Sequence, residues 1–264
     1  MFAANTMRFV TAGFDPRSLN PALWLDGADA STMFDATTGG SLVAPDGSIA
    51  RWEDKSGNAR HATQGTVLNR PQRKTAIQNG RDIVRFDGSN DSLAHAANFL
   101  NGLSGLTIFA VNKWQRNASN NGTLYSYGVT GQFTNDILRG QFGASTRLAQ
   151  INNGADGSAS VTANPPANFV IETMLFDGSQ TGNANRLRII IDGAAQSPSY
   201  SYTVPASTAS PTSPNFTVGS YFPSPANSFY LGDISEIIVL PYAATTDQRQ
   251  QVERYLATKW GVTI

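Results

Sequence analysis

The chain contains no cysteine. Disulfides, thiol nucleophiles and cysteine metal sites are excluded together. Histidine is almost as scarce: His61 and His95 are the only two, too few to build a zinc centre without thiolates. Charge is sparse and balanced, with 19 Lys plus Arg against 19 Asp plus Glu, or 14% of 264 residues. No basic stripe supplies the phosphate contacts on which nucleic-acid affinity rests, so no nucleic-acid partner is expected. Nowhere do eighteen apolar residues follow one another, and Met1–Val10 carries Arg8 without a continuous apolar stretch. Neither a membrane span nor a signal peptide is expected.

Uncharged polar residues occupy the space that charge leaves. Ser, Thr, Asn, Gln and 24 glycines punctuate short apolar segments, a pattern of sheets rather than helices. Ile83-Val84-Arg85-Phe86 runs into Asp87-Gly88, and Leu187–Ile191 into Asp192-Gly193, dipeptides that accept positive φ in hairpins. Thr107–Trp114, Phe169–Phe176 and Ile234–Leu240 are apolar at successive positions, as strands covered on both faces must be. Area scaling leaves roughly 11,000 Å² exposed out of about 41,000 Å² unfolded, enough burial for one large domain without staples. Asn117–Gly122 and Ala194–Pro214 read as loops inside that domain. Phe86-Asp87-Gly88-Ser89 recurs as Phe176-Asp177-Gly178-Ser179, but the flanks differ, so shared turn chemistry explains the pair better than duplication. Near the end, Thr245 and Gln248 have capping-box spacing, and Val252, Tyr255, Leu256 and Trp260 fall on one face before Gly261. That pattern predicts a helix over 246–260, docked by its apolar stripe on the edge of the sheets.

Several blocks carry a family resemblance by their order. They are Leu23-Trp24-Leu25-Asp26-Gly27-Ala28-Asp29-Ala30-Ser31, Trp52-Glu53-Asp54-Lys55-Ser56-Gly57-Asn58 with His61-Ala62-Thr63, and Asn79-Gly80. Val84–Asp91, Thr107–Val111, Gly232–Val239 and Tyr255–Gly261 follow. From about residue 20 onward the chain resembles the laminin-G-like branch of the concanavalin A-like lectin and glucanase superfamily. The resemblance implies an all-β, two-sheet antiparallel sandwich (a jelly roll) over residues 21–264, with residues 1–20 as an N-terminal arm. It also implies kinship with modules of phage virion proteins and of secreted bacterial multidomain proteins.

Candidate chemistry is thin. Glycosidases need two convergent carboxylates, and Asp233 and Glu236, three apart on a strand, are expected on opposite faces. Glu172 has no acidic partner on its strand, and no Gly-x-Ser-x-Gly elbow or phosphate-binding Gly-Lys-Ser/Thr loop occurs. Asp87, Asn90 and Asp91 offer oxygen ligands for calcium, with turn formation as the alternative role. Tyr125, Tyr127, Tyr221, Phe222, Phe229 and Tyr230 are candidates to stack on sugar rings, with core or inter-subunit packing as the alternative.

The functional expectation is a protein without enzymatic activity. It is a structural virion component, capsid decoration or tail, that contacts other virion proteins and itself, as a homo-oligomer such as a trimer. Its location is the virion, assembled in the host cytoplasm, with cell-surface glycan as a further partner. The alternative is a lectin-like carbohydrate-binding module, with or without calcium; a glycoside hydrolase is the third reading. No other cofactor is expected.

Overall fold

The computed structural model describes residues 13–116, 121–129, 136–142, 145–154, 156–221 and 228–264. Among them, two antiparallel sheets pack face to face and one long helix closes the chain. The eight-stranded sheet runs Ala194–Ala195, Leu187–Ile191, Val170–Asp177, Gly105–Trp114, Leu231–Leu240, Arg81–Asp87 and Gln72–Gln78. Leu23–Asp26 also pairs with Leu231–Leu240, on the half that Arg81–Asp87 leaves open. The ten-stranded sheet begins with Ser199–Ser201, Asp156–Thr162, Thr146–Asn152, Ile137–Phe142 and Asn121–Gly128. It continues through Asn215–Val218, Leu93–Ala96, Ala62–Thr63, Arg51–Trp52 and Met33–Phe34.

Alternation places the core. Ile108, Ala110, Met174, Phe176, Val84, Phe86, Ile237 and Val239 point from the eight-stranded sheet toward Trp52, Leu93, Tyr125, Ile151 and Phe216 of the other. The intervening residues Ile83, Phe109, Val111, Ile171, Ile238 and Leu240 form a second cluster on the outer face. The helix Thr246–Trp260 covers that face with Val252, Leu256 and Trp260. This corrects the expected edge docking, because an edge would leave six apolar side chains of the central strands in water. Thr245 caps the first turn reciprocally with Gln248, and Gly261 ends the helix at φ 64°.

Of the two dipeptides expected to turn hairpins, Asp192-Gly193 does and Asp87-Gly88 does not: only Gly88 takes a positive φ, and the chain crosses there to Leu93–Ala96 of the other sheet. Asn79-Gly80 and Asp192-Gly193 both have two successive positive φ values, as two-residue hairpins require. The repeated Phe-Asp-Gly-Ser tetrapeptide uses the same side-chain bond twice, Asp87 Oδ1 accepting Ser89 N–H at 2.8 Å and Asp177 Oδ1 accepting Ser179 N–H at 3.2 Å, but only Gly88 takes a positive φ, so the two backbone turns differ. Within the expected loop Ala194–Pro214, Ala194–Ala195 and Ser199–Ser201 each extend a sheet edge. Of the expected loop Asn117–Gly122, residues 117–120 lie outside the described residues, and Asn121–Gly128 is a strand. Of the expected arm, residues 1–12 lie outside the described residues. Phe14 packs on Tyr255, and the Leu19 carbonyl accepts the Tyr242 hydroxyl at 2.7 Å.

Candidate functional site

The chain crosses between the sheets twice side by side, at residues 64–71 and 88–92, and the two crossings border an open groove of about 580 Å³. One wall is apolar: Val67 and Leu68, on a single helical turn, are 63% and 80% exposed. The lining also holds Arg70, Gln72, Arg85, Asp87 and Asp91. Gly88, at φ 76°, lets the turn close against Leu231, where a β-carbon would sit 2.8 Å from the Leu231 side chain. Asp91 is nearly buried and its Oδ2 accepts the Asp87 N–H at 2.9 Å. Burial, then the neighbouring Asp87 charge, push its carboxyl up to about 6.

Asp87, Asn90 and Asp91 are thus brought together. Asp87 Oδ1 is taken by the N–H groups of Ser89 and Asn90, which is turn formation. Asn90 Oδ1, by contrast, is buried with no donor. A cation there would take that oxygen and the carboxylates of Asp87 and Asp91, leaving its other positions to carbonyls and water. No group of three or more His, Cys, Asp or Glu with metal-site geometry occurs among the described residues.

The aromatic candidates are distributed differently. Tyr125 and Tyr127 do share a face, but it is the inner one, and both are 1% exposed. Tyr125 stacks on Phe216 at 6.1 Å and Tyr127 meets Phe99 edge-on, its hydroxyl bonded to Asn101 Oδ1. Tyr230 packs on Phe86 and donates to Asn112 Oδ1 at 3.0 Å. Tyr221 is buried with its hydroxyl on Asp136. Phe229 is half-buried, and Phe222 lies outside the described residues. A ring with both faces packed cannot stack on a sugar, so Tyr125, Tyr127 and Tyr230 serve the packing alternative.

Sequence reasoning missed a charged cluster between the sheets. Glu172 faces inward beside Met174 and Phe176, and Arg139 and Arg147 reach it from the opposite sheet at 2.6 and 2.7 Å. The guanidinium of Arg147 lies 4.9 Å from the Trp114 ring centre. Burial alone would raise the Glu172 carboxyl, but the two guanidinium groups outweigh it and hold the group below its ordinary value. The parity of Arg147 with Ala149 and Ile151, and of Glu172 with Met174, was the available signal.

A second buried carboxylate lies under the helix. Glu236 accepts the indole N–H groups of Trp24 at 2.7 Å and Trp260 at 2.6 Å, and the Tyr255 hydroxyl at 2.9 Å. Lys259 Nζ stands 2.7 Å from it and 2.6 Å from Asp26. Burial, then the Asp26 charge, raise the Glu236 carboxyl. The expected opposition of Asp233 and Glu236 is corrected here. The strand bulges between Ile234 and Glu236, so Ile234 and Ile237 both enter the inner core. Asp233 and Glu236 consequently share the outer face, where Asp233 binds Arg85 at 2.6 Å.

No family model matches the chain, and no curated protein matches it. Among solved structures, Trypanosoma rangeli sialidase in complex with sialic acid is similar with a TM-score of 0.57 at 10% identity, over 92% of this chain and 37% of that one. An arabinofuranosidase complexed with arabinofuranosyl-α-1,2-xylobiose is similar with a TM-score of 0.56 at 12% identity, over 94% of this chain and 65% of that one. The CBM40 of Ruminococcus gnavus IT-sialidase, bound to α2,3-sialyllactose, is similar with a TM-score of 0.50 at 12% identity, over 68% of this chain and 98% of that one. The chain thus spans 37% of the sialidase's length. At such identities the likeness is one of fold. It corrects the expectation of a protein without enzymatic activity, because this fold recurs within the chains of a sialidase and an arabinofuranosidase. The sialidase, arabinofuranosidase and CBM40 likenesses carry no tie to a phage particle.

Proposed function

We propose that this chain is a carbohydrate-binding β-sandwich whose sugar site is the groove between Val67-Leu68 and Asp87–Asp91. The observation that carries the reading is the pairing of exposed apolar side chains with carboxylate, guanidinium and amide groups on one accessible wall-to-wall groove. A pyranose has the matching anatomy: C–H faces for Leu68 and Val67, hydroxyls for Asp87, Asp91, Gln72 and Arg70. The likeness to a sialyllactose-bound CBM40 supports the choice of ligand class. So does the sequence resemblance to the concanavalin A-like superfamily. Calcium at Asp87, Asn90 and Asp91 belongs to the same reading, favoured by the orphaned Asn90 oxygen. The virion setting and self-association rest on the sequence blocks alone.

A glycan array run with calcium and with chelator tests the proposal. Binding is expected on one glycan class, and Leu68→Ser, a surface change with no core to disturb, is expected to weaken it at least tenfold. A blank array under both conditions, or binding indifferent to Leu68→Ser and Asp91→Asn, overturns it. Hydrolysis assays on sialosides, arabinosides and β-glucans belong beside the array, because turnover would extend the reading from binding to cleavage.

A further inference from the structure

The cluster between the sheets is unbalanced in charge and in hydrogen bonding. Arg139 and Arg147 are each 1% exposed in their side chains and Glu172 is 2% exposed, so among the described residues two cations share one anion out of water. Glu172 is fully used, one oxygen meeting Arg147 and the other meeting both arginines. The Nε and Nη1 groups of both arginines are buried and meet no acceptor. Every orphan on these three side chains is therefore a donor. Natural interiors leave few polar groups unmatched, and an uncompensated buried charge costs several kcal/mol. A neutral water could accept from some of these donors, but it would leave the excess positive charge in place. A negative acceptor corrects both deficits at once.

We propose that Arg139 and Arg147, braced by Glu172, hold a small monovalent anion of halide size between the two sheets. The near-complete burial of the cluster fits an ion taken up during folding rather than a sugar that comes and goes. This site is separate from the groove and stands independently of the sugar-binding reading. Its occupancy links the stability of the sandwich to the anion in the buffer, since a ligand that binds only the folded state stabilises it by mass action.

The test is thermal unfolding of the full chain at fixed ionic strength, with gluconate replaced stepwise by chloride or bromide. The midpoint is expected to rise by several degrees and then saturate. Arg139→Met leaves the neutral pair Arg147–Glu172 and is expected to abolish the rise. Should that variant fail to fold, the wild-type chain still decides: crystals grown in bromide are expected to show an anomalous peak within hydrogen-bonding distance of both guanidinium groups. Equal midpoints in gluconate and chloride, a bromide map empty at the cluster, or a chloride response that survives in folded Arg139→Met would each overturn the proposal.

Discussion

Asp91 shows how one carboxyl can set a pH response. Its folded value of about 6 lies above the ordinary 3.8, so the folded chain binds the proton more tightly than the unfolded chain. Stability therefore falls as pH rises from about 4 to 6 and is flat above. Asp91→Asn keeps an acceptor for the Asp87 N–H without the charge. It is expected to remove that slope and to stabilise the protein at pH 7.5 by roughly 1 kcal/mol, allowing for partial solvation of the group. Denaturant unfolding at pH 4.5 and 7.5 checks both points, and a variant less stable than wild type at pH 7.5 would contradict them. Gly219 is a residue of a different kind. At φ 84° its β-carbon would stand 2.2 Å from Phe86 Cε1 in the core, so Gly219→Ala is expected to cost about 3 kcal/mol.

At the scale of the element, the C-terminal helix is held by packing and by one carboxylate. Glu236 gathers Trp24 from a strand with Trp260 and Tyr255 from the helix, so it joins the two elements directly. Glu236→Gln preserves shape but gives one indole N–H a donor to face instead of an acceptor. It also leaves Asp26 as the one carboxylate paired with Lys259 among the described residues. A loss of about 3 kcal/mol is expected, with hydrogen exchange quickening first in 246–260. Thr245→Ala removes only the cap and should cost about 1 kcal/mol. If the two substitutions cost the same, the carboxylate is no more than a spectator of helix docking.

At the scale of the molecule, the strands Gly105–Trp114 and Leu231–Leu240 belong to both apolar clusters, one on each face. The helix and the sandwich are therefore expected to unfold together in a single transition. Truncation before Thr245 exposes Ile83, Phe109, Val111, Ile238 and Leu240 at once. The truncated chain is expected to aggregate rather than to persist as a smaller sandwich. Circular dichroism and light scattering on the truncated chain decide between these outcomes.

Much of this fold was written locally in the sequence. Asp192-Gly193 dictates a hairpin through backbone sterics, though Asp87-Gly88 does not, the Thr245–Gln248 box starts the helix, and alternation marks Val84, Phe86, Met174 and Phe176 as inward. Each of these is decided within a few residues of chain, where the relevant energies act. The bulge between Ile234 and Glu236 was not legible, because it arises from pairing with a strand more than a hundred residues away. That bulge put Asp233 and Glu236 on one face. The same limit hid the meeting of Arg139 and Arg147 with Glu172, and the closing of the tyrosines into the core. Parity along a strand says which way a side chain points; only the packed partner sheet says what it meets there, and whether water is left.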